Sequence, residues 1–236
     1  MEQPSSKVGI KGFRQNGDCS ILIDFTATTE LAMLAHIHAF ADKLRQVPLP
    51  NQINAVPAKT TLMLAFSSPV QAWEQLHHSL SKVNNTLQSL SRPVKTHFIP
   101  VCYHPEIAPD LEAVLLTSKL NLEKLIQIHS DREYLLSMLG FLPGFMYLDK
   151  LDQRLVLPRK TTPAVRLPAG SVAIAGNQCG LYSISSPGGW HVIGRTPVRL
   201  LDWSDKQPIK IQAMDKISFQ PISLEEFNHF DNEGDS

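Results

Sequence analysis

Between Ser171 and Trp203 the chain reads SVAIAGNQCGLYSISSPGGWHVIGRTPVRLLDW. Short apolar alternations at Ser171 to Ala175, Leu181 to Ile184, His191 to Ile193 and Val198 to Trp203 are cut by Gly and Pro steps. Two more, Ile209 to Gln212 and Lys216 to Phe219, follow at similar spacing. Side chains of a strand alternate between faces and tight turns need residues that reach special backbone angles, so this rhythm predicts a β-sandwich or barrel.

Moving towards the N-terminus, the rhythm changes. A helical pair is expected at Asp110 to Leu116 and Leu122 to His129, with Asn121 as the cap of the second. Before it, strand-like Ile21, Ile23, Phe25 and Leu62, Leu64, Phe66 flank a helical stripe of Met33, Ile37, Phe40 and Leu44 that stops ahead of Pro48. A second helix is read as opening with Ser68 at the cap and Pro69 in its first turn, running to Leu87, and a strand follows from Lys95 to Val101. This order predicts an α+β protein whose first domain, residues 1–95, is a ferredoxin-like α/β sandwich. Residues 96–224 form the β domain, and 225–236 are read as a polar, poorly ordered tail.

A chain of 236 residues with 43% hydrophobic composition can bury one large core or two ordinary ones. No charged-then-apolar leader opens it, and no apolar run approaches the roughly 20 residues that span a bilayer, so a soluble, cytoplasmic protein without a membrane partner is expected. Lys plus Arg number 22 against 22 Asp plus Glu, a balance that argues against nucleic acid as a partner. Locally the balance fails: from Gln153 to Leu201 there is no acid, while Arg154, Arg159, Lys160, Arg166, Arg195 and Arg199 all fall there. Such an excess suits a small anionic ligand, because guanidinium groups match carboxylate and phosphate geometry; pairing with acids from elsewhere is the structural alternative.

The stretch Gly140-Phe-Leu-Pro-Gly-Phe-Met-Tyr147 and the later Ser186-Pro-Gly-Gly-Trp190 set aromatics among Pro and Gly, as in loops built to a shape. Pro143, Gly144 and Phe145, with Gly188, Gly189 and Trp190, are therefore substrate-binding candidates. The two glycines would let backbone N–H groups and an indole face approach a planar ligand, or else make a tight turn packed on Trp190. Arg195 and Gln178 complete the binding set, Gln178 being equally suited to a turn. Arg159 and Arg166, each beside prolines that stiffen its loop, are candidates for charge-assisted contact. His129, near a helix end, is either a group titrating near neutrality or a tether for that helix. These three are the catalytic candidates.

Several chemistries are missing. There is neither a Gly-x-x-x-x-Gly-Lys-Ser/Thr phosphate cradle nor Gly-x-Gly-x-x-Gly. No metal site is expected: His36 and His38 would face different sides of a helix, and His77-His78 reads as helix surface. Cys19, Cys102 and Cys179 are an odd, widely spaced set that fits free thiols in a reducing compartment.

An ordered series of words completes the reading: Ile99-Pro-Val-Cys-Tyr103, Pro109-Asp-Leu111, His129-Ser130, Leu139-Gly-Phe-Leu-Pro-Gly-Phe145, Pro158-Arg159, Leu167-Pro-Ala-Gly-Ser-Val172, Ser186-Pro-Gly-Gly-Trp190 and Ile193-Gly-Arg-Thr-Pro197. In these the chain resembles the family of 5-oxoprolinase B subunits, also known as the KipI or allophanate hydrolase subunit 1 family. The resemblance implies a cyclophilin-like β-barrel for the second domain. It also implies one component of an ATP-hydrolysing 5-oxoprolinase, inactive alone. Such a component works with the A subunit and a KipA-like C subunit to turn 5-oxoproline into L-glutamate, with ATP shared with the partner. Two other roles within the family stand beside it: KipI-like inhibition of a sensor histidine kinase, and a carboxyltransferase or allophanate-related part in urea metabolism.

Overall fold

The structure, a computed structural model, describes residues 8–27, 29–87 and 93–233. Residues 88–92, just before the boundary expected between 95 and 96, and the last three residues of the expected tail lie outside them. The chain divides into two compact units, Met1–Pro93 and Val94–Ser236.

The first unit carries β1 (Gly9–Gln15), β2 (Ser20–Thr26), α1 (Glu30–Gln46), β3 (Gln52–Pro57), β4 (Thr61–Phe66) and α2 (Trp73–Thr86). Its four strands form one antiparallel sheet in the order β1-β2-β4-β3. Strand alternation puts Ile21, Ile23 and Phe25 of β2 and Leu62, Leu64 and Phe66 of β4 on one buried face. Helix α1 covers that face with Ile37, Phe40, Ala41 and Leu44, and its start is capped by Thr29, whose hydroxyl accepts from Ala32 N at 3.2 Å. The succession ββαββα differs from the βαββαβ of the ferredoxin-like sandwich anticipated from the sequence. The strand that such a chain adds after its second helix, as the edge beside the first strand, is instead supplied at the outset by β1. Helix α2 also starts later than Ser68-Pro69 suggested. Val70 N donates to Asp18 O at 3.1 Å, which holds residues 67–72 out of the helix, and Ala72 at the cap position offers no side chain to it.

The second unit is built on β5 (Thr96–Cys102), α3 (Leu111–Ser118), α4 (Leu122–Ser130), β6 (Glu133–Leu139), β7 (Met146–Asp149), β8 (Ala164–Leu167), β9 (Ser171–Ala175), β10 (Gln178–Leu181), β11 (Ser186–Gly188), β12 (His191–Arg195), β13 (Lys216–Ile222) and α5 (Leu224–Glu233). Seven strands close a barrel in the order β10-β7-β6-β13-β5-β12-β9, and β8 pairs with β11 in a separate ribbon. Within the barrel β5 and β13 are parallel, and the other neighbouring pairs are antiparallel. Closure leaves the barrel no unpaired edge strand, and the core of this unit includes Val101, Leu136, Leu148, Ile174, Val192 and Ile217.

Several expected elements move. Asn121 does cap α4, accepting from Lys124 N at 2.8 Å. Strand β6 has no signal in the sequence because residues 134–137 are buried in succession, which removes the period of two. Val198 to Trp203 and Ile209 to Gln212 are not strands. Asp202 and Asp205 accept from the backbone N–H two residues on, of Ser204 and Gln207, and bend that segment into turns. Residues 225–233, read as tail, belong to helix α5, which buries Phe227. Among the described residues no helix is long and apolar enough to cross a membrane.

Candidate ligand site in the barrel unit

Three segments of the second unit meet around one cavity. The first is the turn between β6 and β7, closed by Gly140 N donating to Phe145 O at 3.2 Å and Phe145 N to Leu142 O at 3.1 Å. Gly144 takes a positive φ of 76° in it, with Ser183 so near that an added Cβ would lie 3.1 Å from its Cβ. The Ser183 hydroxyl also donates to Pro143 O. The second segment is the loop from Pro158 to Pro163. The third runs from Pro187 on β11 to His191 on β12. These last two are stitched together, since Lys160 N donates to Gly189 O at 2.8 Å and His191 Nε2 lies 2.9 Å from Pro158 O.

The cavity between them measures about 330 Å³ and is lined by Phe141, Phe145, Tyr147, Arg159, Lys160, Pro163, Tyr182 and Pro187 to Trp190. Phe145, almost completely buried, is the hub of its aromatic wall. Its ring meets Tyr147 at 4.7 Å, Tyr182 at 4.8 Å, Phe141 at 5.5 Å and Trp190 at 5.7 Å, every pair edge to face. Glycine makes this crowding possible. A Cβ on Gly180 would sit 2.8 Å from both Phe145 and Trp190, and one on Gly188 would sit 2.4 Å from the Tyr182 hydroxyl. At Gly189 the nearest neighbour of such a Cβ is 3.7 Å away, so that position has room beside Pro163.

Arg159 is the cation of the cavity that remains available. Its guanidinium carbon lies 5.9 Å from the Trp190 ring centroid, and among the described residues it enters no ion pair. Lys160 by contrast is bound to Asp110, a helix-cap residue whose carboxylate leaves its own helix uncapped and also accepts Val192 N at 2.9 Å. Burial raises the Tyr147 phenol, partly offset by Arg159, and pushes Tyr182 up to about 12. Both therefore stay protonated at neutral pH and can donate a hydrogen bond. The arrangement can hold a flat, partly apolar molecule with one negative group.

Of the expected site residues, the structure brings together Phe145, Arg159, Gly188, Gly189 and Trp190, with Pro143 and Gly144 in the turn that carries Phe145. It does not bring in four others. Arg166, exposed on the β8 ribbon, donates to Ser185 Oγ at 3.0 Å. Arg195 donates to Ala169 O at 2.9 Å and lies over Phe227. Gln178 donates to Asp149 Oδ1 at 3.0 Å. His129 is completely buried: Tyr103 Oη lies 2.7 Å from its Nδ1, Cys179 Sγ 3.4 Å from its Nε2, and Phe219 stacks on its ring. Burial, with a smaller contribution from Arg132, depresses its pKa to about 3, so it is a neutral core group. Cys179 is buried beside it, with its thiol pushed well up by burial.

Tyr147, Tyr182, Phe141, Lys160 and Pro163 join the site without having been singled out by the sequence. Tyr147 and Phe141 stand inside the Gly140 to Tyr147 loop and Lys160 beside Arg159, so proximity in sequence is their signal; nothing local marks Tyr182. Among the described residues no group of three or more His, Cys, Asp or Glu comes together as a metal would require.

A family model described as carboxyltransferase domain, subdomain C and D, matches residues 11–211. The chain is 34% identical over 234 residues to the 5-oxoprolinase B subunit of Bacillus subtilis, covering 93% of this chain and 96% of that protein. The chain belongs to the 5-oxoprolinase B-subunit family of carboxyltransferase domains. Another member, the 5-oxoprolinase B subunit of Haemophilus influenzae, is 40% identical over 167 residues, 71% of this chain and 75% of its own length. The crystal structure of TTHA0988 matches this family member with a TM-score of 0.73 at 29% identity, over 90% of this chain. The match spans 40% of that longer chain.

Proposed function

We propose that this chain is the B subunit of an ATP-dependent 5-oxoprolinase, acting with the A and C subunits to convert 5-oxoproline to L-glutamate. The observation that carries the reading is the likeness, over nearly its whole length, to proteins bearing that name. The cavity supports it chemically. 5-Oxoproline is a small ring with a carboxylate and a lactam carbonyl. In this reading Arg159 pairs with the carboxylate, and the ring lies among Phe145, Tyr147 and Trp190. The protonated phenols of Tyr147 and Tyr182 are the donors available to the lactam oxygen as charge develops there. A lactam is a resonance-stabilised amide, and a phosphoryl group supplied by ATP would make its carbon a better electrophile. The sequence carries no recognised phosphate cradle, so the nucleotide is assigned to the partner subunits or to their junction with this one. This chain's part is to hold and orient the substrate.

The test is reconstitution with candidate A and C subunits, measuring glutamate released from 5-oxoproline with and without ATP. ATP-dependent glutamate formation that requires this chain is expected. Full turnover by the A and C subunits without it, or no turnover with all three, would overturn the assignment.

A further inference from the structure

We infer that Asp110 is a positioning residue, whose carboxylate clamps together the two walls of the ligand cavity. Its two oxygens serve different elements. Oδ1 takes the Lys160 ammonium from the loop 158–163, and Oδ2 accepts Val192 N on β12, two residues beyond Trp190. Lys160 in turn donates through its backbone N–H to Gly189 O. One carboxylate thus closes a circuit: Asp110 to Lys160, Lys160 to Gly189, and along the chain through Trp190 to Val192 and back. Arg159 and Trp190, whose cation–π geometry faces the cavity, both lie inside it.

The placement is unusual for a helix-cap aspartate. The Asp110 side chain makes no cap hydrogen bond to α3, and its backbone is near the helical region, with φ −99° and ψ −1°. The carboxylate serves the cavity wall although its own helix would be stabilised by a capping Asp. The acid stands at 14% side-chain exposure and Lys160 at 23%, so water competes little for the pair and removing one partner leaves the other charge unsatisfied. Lys160 cannot substitute for Arg159 as a ligand-binding cation while Asp110 holds it. Asp110 thereby leaves the cavity one available positive group and fixes the loop that presents it.

The substrate consequence rests on the 5-oxoproline reading; the positioning itself does not. The experiment uses the full chain with Trp73→Phe and Trp203→Phe, which leaves Trp190 as its one tryptophan; quenching is read on this chain by itself and kinetics on its complex with the A and C subunits. In this background Asp110→Asn and Lys160→Met are each compared with the parent. Asp110→Asn can keep the contact to Val192 N but loses the ion pair. Either change should raise acrylamide quenching of Trp190 at least twofold and raise KM for 5-oxoproline about tenfold or more, with kcat reduced less. The double variant should be no worse than the single ones, because both changes open the same link. Unchanged Trp190 quenching in the folded Asp110→Asn protein, or additive effects of the two changes, would overturn the inference whatever the substrate is. Altered quenching in variants whose parent complex does not turn over 5-oxoproline would leave the clamp standing and sink the substrate reading instead.

Discussion

Two aromatic clusters sit in the barrel unit, one around Trp190 and one around His129, and the same residue types serve opposite ends in them. Around His129 the packing is complete. Tyr103, Tyr134, Phe219 and Cys179 enclose the imidazole, both ring nitrogens face polar atoms, and no charge survives. Around Trp190 the rings meet edge to face, and with the glycines at 188 and 189 they border a cavity that Arg159 lines without an ion pair among the described residues. A buried polar group with every partner inside the protein stabilises a fold; a polar group with a partner missing is available to a ligand.

The contrast is sharpest where it can be broken by mutation. His129→Ala should have the largest effect, about 3–5 kcal/mol of unfolding free energy. It opens a cavity in the core and leaves the Tyr103 hydroxyl without its buried partner. Urea denaturation measures it, and the folded fraction should retain its KM for 5-oxoproline. Loss of turnover at undiminished stability would reverse the roles given to the two clusters.

The same histidine predicts a pH dependence. Its folded-state pKa is about 3 against an ordinary 6.5, so between those values the unfolded chain binds a proton that the folded chain refuses. Stability is therefore present in full above about pH 6.5 and drains as pH falls towards 3. Thermal melting from pH 7 to 4 should show the decline, and His129→Gln, which cannot titrate, should flatten it. Asp152, held below the usual carboxylate range first by its hydrogen bonds with Arg154, adds loss only at pH values below its ordinary 3.8.

Gly180→Ala comes next. The new methyl would lie 2.8 Å from both Phe145 and Trp190, so one ring must shift, at a cost of about 1–3 kcal/mol. Weaker ligand binding should accompany it. A crystal structure of the variant with both rings unmoved would show that the glycine is not what shapes the cavity. Smallest of all should be Arg166→Ala, whose side chain meets Ser185 away from the cavity. Its KM should stay within about twofold of the parent.

The β character of the second unit is legible from the Gly and Pro punctuation after Ser171, because the turns declare themselves locally. Strand β6 is not, since a strand buried on both faces has no alternation to read. Half of the candidate site is legible for the same kind of reason. Phe145, Gly188, Gly189 and Trp190 lie in words whose composition only a shaped loop explains. Arg159 and Arg166, both beside prolines, cannot be told apart by sequence, because the difference between them is what each guanidinium meets in space. His129 misleads because a histidine near a helix end looks the same whether its ring points to water or into the core.

The most direct measurement is a titration of 5-oxoproline against Trp190 fluorescence in the reconstituted complex, with Trp73 and Trp203 of this chain replaced by Phe and any partner tryptophan signal subtracted using a Trp190→Phe control. Saturable quenching is predicted. Arg159→Ala should shift its midpoint roughly ten- to a hundredfold, the loss of one charge-assisted contact of about 1.5–3 kcal/mol, while melting of the variant matches the parent. An unchanged curve in Arg159→Ala, or no response of Trp190 in a complex that turns the substrate over, would contradict the claim that this cavity holds it.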